Sequence, residues 1–196
     1  MRGGEANDFT NVTFVFLDRD GVINRKPAAG RYVTCWEEFE LLPGVADAIA
    51  KLNQSGRKAI VVTNQRGVAL GLYSSQELAE IHERLQDELA ARGAHLDAIY
   101  VCPHDEGQCD CRKPLTGLFE QAFRDFPAAH AGNSVVVGDS LRDIEAGRRL
   151  GMRTILVDDG AASPSPDFEL ARALAQLSVA SLADFVHRYL SSEHLC

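Results

Sequence analysis

The chain has 196 residues, 45% of them hydrophobic and 24% charged, with a formal net charge of −8; these are the proportions of one ordinary globular domain. The acidic balance argues against a broad nucleic-acid surface, which needs cationic neutralisation of phosphates. No stretch approaches the ~20 consecutive apolar residues of a membrane helix, and the polar start lacks the basic-then-apolar pattern of a secretory signal, so a cytoplasmic protein is expected.

Residues 1–11 read as a loosely held N-terminal segment. From there, apolar runs of strand length alternate with helical stretches: a strand at Phe14–Leu17, a helix near 44–54, a strand at Ala59–Val62, a helix over 74–92, and a strand at Ala98–Cys102. A helix near 115–126, a strand at Ser134–Val137, a helix near 141–150 and a strand at Thr154–Val157 complete the series. Most of the strand runs are apolar throughout, as strands buried on both faces should be. The 74–92 helix is the best marked: Ser74 and Glu77 have capping-box spacing, and Leu78, Ile81, Leu85 and Leu89 recur every three or four residues. Gly160–Pro166 reads as a linker to a C-terminal helical extension over 161–196, with helical segments around 167–176 and 181–190. In the last of these, Leu182, Phe185, Val186 and Tyr189 form a stripe expected to pack on the sheet's outer layer. Such alternation predicts a single α/β domain over 1–196, three-layered and Rossmann-like, with a parallel sheet. Neither Asn24–Pro43 nor Ile99–Lys113 is long enough to hold a separate cap domain.

Ligands of open α/β sheets bind beyond the carboxyl ends of the strands, and the polar residues punctuating these runs sit there. The first strand runs into Asp18-Arg19-Asp20-Gly21, the second into Thr63-Asn64-Gln65, and the fourth into Gly138-Asp139-Ser140 with Asp143 close behind. Arg112-Lys113-Pro114 precedes the third main helix. Crowded carboxylates repel unless a cation offsets them, and oxygen-only ligands select a hard ion such as Mg2+. A carboxylate can attack phosphorus, a second can protonate the leaving oxygen, and a lysine and a hydroxyl can hold the charge that spreads over the equatorial oxygens. The chemistry these residue types suit is hydrolysis of a phosphomonoester.

FLDRDGVIN, VVTNQRG, CRKP and VVGDSLRDIEAG resemble, in order and spacing, the four motifs of the haloacid-dehalogenase-type phosphatases, over about Phe14–Gly160. The resemblance implies a strand order of 5-4-1-2-3. It implies that Asp18 is the nucleophile and Asp20 the general acid and base, with Thr63 and Lys113 as phosphate clamps. It also implies magnesium ligation by Asp18, the backbone carbonyl of Asp20 and Asp139, with Asp143 supporting them from behind.

Cys102, His104, Cys109 and Cys111 give C-x-H-x4-C-x-C, a set suited to a closed, structural tetrahedral Zn2+ site in a polar loop that packing alone would not order. A zinc loop just before C-R-K-P is similar to that of the bacterial heptose-bisphosphate phosphatases and the related histidinol-phosphate phosphatases. The stretch after Asn24, Arg25-Lys26-Pro27-Ala28-Ala29-Gly30-Arg31-Tyr32, departs from the shorter, acid-containing one usual in the heptose enzymes.

Three loops, 24–33, 64–71 and 103–112, are expected to line the site. They carry Arg25, Lys26, Arg31, Arg66 and Arg112 on an otherwise acidic chain. Asn64, Gln65, Arg66, Arg112 and Arg31 are the candidate substrate contacts. The expected partner is a small phosphorylated metabolite, a sugar bisphosphate on the resemblance, met by a monomer without nucleic acid or membrane. A histidinol-phosphate phosphatase is the alternative. A polynucleotide 3′-phosphatase is disfavoured by the acidic balance and the lack of an aromatic-basic strip. A non-catalytic phosphoryl-binding module is disfavoured because both Asp18 and Asp20 are present.

Overall fold

The computed structural model describes residues 9–160 and 165–190; the outermost part of the predicted loose start, the interior of the predicted linker and the end of the predicted extension lie outside the described residues. The strands are β1 (Phe14–Leu17), β2 (Lys58–Asn64), β3 (Ala98–Cys102), β4 (Ser134–Gly138), β5 (Arg153–Val157) and β6 (Leu177–Val179). They form one parallel sheet in the order β3-β2-β1-β4-β5-β6, the expected order with one strand added. The helices are α1 (Val45–Gln54), α2 (Ser75–Ala90), α3 (Gly117–Asp125), α4 (Leu141–Arg149), α5 (Pro166–Leu174) and α6 (Leu182–Phe185), the last continuing as a π-helical turn over Val186–Leu190.

Strand β1 shows why the apolar runs carry no alternation. Val15 and Leu17 enter one core with Val61, Val137, α1 and α2, while Phe14 and Phe16 enter the other with Ile60, Val62 and α3. Both layers need apolar side chains, so every residue of β1 and β4 is buried. Burying one such side chain stabilises the fold by about 1.5–3 kcal/mol. The capping box at Ser74 and Glu77 forms as expected and starts α2.

The expected C-terminal extension needs correction. It is not purely helical: β6 pairs in parallel with β5 and completes the sheet. Pro166, assigned to the linker, is the first residue of α5, with Ser165 capping it. The inner end of the predicted loose start is also packed. Phe9 is buried, with its ring 5.2 Å from Phe185 and 5.7 Å from Tyr189. Among the described residues no helix is long and apolar enough to cross a membrane.

Candidate active site

Adjacency of β1 and β4 creates the centre of the site. Leu17 pairs with Val137, so Asp18, the next residue, and Asp139, one further on past Gly138, emerge at the ends of neighbouring strands, and Asp18 N–H donates to the Val137 carbonyl at 2.9 Å. Gly21 keeps the turn after β1 close. Its φ is +89°, and a Cβ there would run into the Asp139 carboxylate. Lys113 is buried between two acids, its Nζ 3.0 Å from Asp18 Oδ1 and 2.5 Å from Asp143 Oδ1, and it also donates to the Val62 carbonyl at 2.7 Å. The other oxygen of Asp143 accepts from Ser140 N–H and Oγ–H at the start of α4. Asp143 thus has both oxygens engaged by protein.

Asp18, Asp139 and Asp143 each offer an oxygen within 4.8 Å of the others. Burial, then Asp143, pushes Asp18 up to about 7 against the pull of Lys113. Burial also lifts Asp139 to about 6, against Lys26, whose Nζ is 2.7 Å away. Burial opposes the charge of Lys113, but Asp143 and Asp18 outweigh it and raise its pKa. Three carboxylates against Lys113 and Lys26 leave the cluster with one negative charge in excess. An oxygen-ligating divalent cation fits that donor set.

Asp20 differs from its neighbours. Burial alone would raise it, yet the Arg19 charge and hydrogen bonds from Asn24 and Gln65 hold it below the ordinary carboxylate range. Arg19 is itself 1% exposed and places Nη1 3.3 Å from His82 Nε2. Since a guanidinium only donates, His82 must accept there as a neutral ring. Burial, then the Arg19 charge, brings His82 down from 6.5 to about 4. The unfolded chain therefore takes up a proton that the folded one refuses. The contribution of His82 to stability is complete above pH 6.5 and is lost as pH falls toward 4. His82→Gln should lose less stability than the wild type between about pH 7 and 4.5, by at most about 3 kcal/mol, measured as urea midpoints.

A cavity of about 480 Å³ opens over this rim, lined by Asp18, Asp20, Asn64, Arg66, Arg112, Lys113, Asp139 and Asp143. Thr63 is buried, its Oγ1 accepting from Gln65 Nε2 at 2.9 Å. Of the expected substrate contacts, Asn64 and Gln65 are engaged by the protein itself and Arg31 lies off this cavity. Asn64 spends its side chain on the backbone of Lys113, donating to its carbonyl and accepting from its N–H, both at 3.0 Å. Gln65, 2% exposed, holds Asp20 and Thr63. Arg31 lines a neighbouring hollow instead. Arg66 reaches the cavity while paired with Asp105 at 2.6 Å. Lys26, Tyr32 and Phe168 also line the cavity. Lys26 was legible only as one loop cation among several, and Phe168 gave no signal beyond its helix.

In the loop after β3, Cys102 Sγ lies 3.5 Å from Cys109 Sγ and 3.8 Å from His104 Nδ1, and Cys111 Sγ lies 3.2 Å from Cys109 Sγ and 3.3 Å from His104 Nδ1. All four donors fall within 4.8 Å of one another. Burial, then Cys109 and Cys102, pushes the Cys111 thiol up, whereas hydrogen bonds from Cys111 and Cys102 overcome burial and bring Cys109 down to about 7.

The HAD-hydrolase-like family model matches residues 110–185. A D-glycero-beta-D-manno-heptose-1,7-bisphosphate 7-phosphatase of Vibrio cholerae is 38% identical over 185 residues, 90% of this chain and 95% of that protein. This chain belongs to the HAD-like phosphatases. A D-glycero-alpha-D-manno-heptose-1,7-bisphosphate 7-phosphatase of Mycobacterium bovis is 48% identical over 132 residues, 67% of this chain and 69% of that protein. The crystal structure of D,D-heptose 1,7-bisphosphate phosphatase from Bordetella bronchiseptica, complexed with magnesium and phosphate, superposes with a TM-score of 0.78 at 33% identity, covering 90% of this chain and 97% of that one. The acid-lined rim of this phosphatase offers an oxygen-only donor set that suits such a cation.

Proposed function

We propose that this phosphatase removes the 7-phosphate of D-glycero-D-manno-heptose 1,7-bisphosphate in the cytoplasm, a compartment whose reducing conditions suit its thiols. Asp18 attacks phosphorus, the bond from phosphorus to the sugar oxygen breaks, and Asp20, protonated as the bound phosphate dianion offsets the Arg19 charge that otherwise keeps it ionised, gives that oxygen its proton. Asp20 then takes a proton from the water that attacks the aspartyl-phosphate, and inorganic phosphate leaves. Thr63 and Lys113 hold the equatorial oxygens. Asp18, the Asp20 carbonyl and Asp139 would hold Mg2+, which would supply the charge that lets an anionic nucleophile approach a phosphate dianion. Cys102, His104, Cys109 and Cys111 would hold Zn2+, which would order the loop that delivers Arg112 and Lys113.

The observation that carries the bisphosphate is Arg112. It is 8% exposed, adjoins Lys113 in sequence and lines the cavity, and its buried Nη1 has no hydrogen-bond partner. A buried donor left unmatched costs stability, and a guanidinium suits the oxygens of a second phosphate. The named relatives act on such a substrate.

The test compares specificity constants, with magnesium, on heptose bisphosphate, heptose monophosphate and histidinol phosphate. The wild type should prefer the bisphosphate. Arg112→Ala should cost the bisphosphate about 1.5–3 kcal/mol more than the monophosphate. Equal losses would confine Arg112 to the reacting phosphate, and a preference for histidinol phosphate would overturn the substrate.

A further inference from the structure

Asp20 accepts hydrogen bonds from Arg19 Nη2 on both oxygens at 3.0 Å, from Asn24 Nδ2 at 2.8 Å and from Gln65 Nε2 at 2.9 Å. Arg19 and Asn24 belong to the same turn as Asp20. Among the described residues, Gln65 is the one side chain from another strand end that hydrogen-bonds it, so Gln65 ties the turn after β1 to the end of β2. The same NH2 group reaches Thr63 Oγ1 at 2.9 Å. That leaves the Thr63 hydroxyl hydrogen available to a phosphate oxygen.

A glutamine amide can sit two ways round. On the far side of Gln65, Tyr73 Oη–H donates to Oε1 at 2.7 Å, and Tyr73 is 4% exposed. Reversing the amide would strand the buried phenol hydrogen and turn Oε1 toward Asp20. There it would repel the carboxylate, or capture the proton when Asp20 is protonated. Gly67 admits the phenol: a Cβ at residue 67 would run into the Tyr73 ring.

We infer that Tyr73, acting through Gln65, is a positioning residue that holds Asp20 in register with the leaving oxygen. The inference deepens the proposed function, since it rests on Asp20 as the general acid. Neither residue touches the reacting atoms.

The test is a leaving-group comparison at saturating magnesium. A general acid matters for an alkyl oxygen and hardly for p-nitrophenolate, which leaves without help. Wild type, Asp20→Asn, Tyr73→Phe and Gly67→Ala are compared on p-nitrophenyl phosphate and on the best alkyl phosphate substrate. Tyr73→Phe should lower kcat/KM about 5- to 10-fold on the alkyl phosphate and less than about 2-fold on the aryl one, the effect of one lost hydrogen bond. Gly67→Ala, which keeps the hydroxyl but displaces the ring, should show the same split, and melting temperatures check that both variants fold. If Asp20→Asn shows the split while Tyr73→Phe loses equally on both substrates, or not at all, the positioning role is overturned and the general acid stands. Equal losses for Asp20→Asn would overturn the general acid, and the inference with it.

Discussion

Asp18→Asn should abolish turnover and leave the fold in place. An amide has the shape of the carboxylate but no anionic oxygen to attack phosphorus, so kcat should fall at least about a hundredfold, about 2.7 kcal/mol. The fold should tolerate the change. Asp18 Oδ1 accepts from Arg19 N–H at 2.8 Å and lies 3.0 Å from Lys113 Nζ, and an amide oxygen can keep both contacts. The exchange also removes one of three mutually repelling acids, the repulsion that helps burial lift Asp18 to about 7. The melting temperature without magnesium should therefore stay close to the wild-type value. Rapid-quench mass analysis should find phosphorylated protein in the wild type and none in the variant. Residual activity above about 1% would remove Asp18 as the nucleophile. A collapsed melting temperature would mean that the loss came from the fold.

Protein purified without added zinc should contain about one zinc per chain, and stripping it should lower both stability and activity. With a bond of about 2.3 Å to each thiolate, a tetrahedral ion sets sulfur atoms about 3.8 Å apart, near the 3.5 Å between Cys102 and Cys109. Apart from backbone bonds at Pro103 and Asp110 and the packing of Cys109 and Cys111, the loop is held at its surface. Asp105 and Glu106 form surface ion pairs with Arg66 and Arg142, of the kind worth at most about 1 kcal/mol each. Cys111 is followed directly by Arg112 and Lys113, and Asn64 clasps the Lys113 backbone. Loss of the ion should thus loosen Lys113 from the end of β2, raising KM, if it holds the phosphate as proposed, as well as lowering the melting temperature. Elemental analysis and thermal melts before and after chelation, with magnesium restored, measure both effects. A stripped protein that melts and binds substrate as before would end the structural role.

The sheet was legible because β1, β2 and β4 are buried on both faces, which forces long apolar runs ending in acids and a hydroxyl. Strand β6 was not: three residues, Leu177–Val179, are too few to show a period. Within the site, Asp18 and Asp139 could be placed from strand ends alone. Gln65 and Asn64 could not, because an amide at a strand end reads equally as a substrate contact or as a brace. Which one it is depends on Tyr73 and Lys113, each distant along the chain or hidden in an unpatterned loop. Phe168 reaches the cavity only because β6 draws α5 back across the rim, a tertiary event with no local signature.

Absence of a cap domain among the described residues has a kinetic side. The cavity walls are short loops and the first turns of α4 and α5, and α5 is held by a helix beside it and a strand after it in the same sheet. Nothing of domain size must swing aside to admit the water of the second half-reaction or to let phosphate out, so turnover should not wait on a lid. An enzyme built this way forgoes closure as a means of choosing among substrates. On the proposed function, its selectivity rests on the standing arrangement of the cavity residues Arg112, Arg66, Tyr32 and Phe168, a lock whose teeth are already cut before the key arrives.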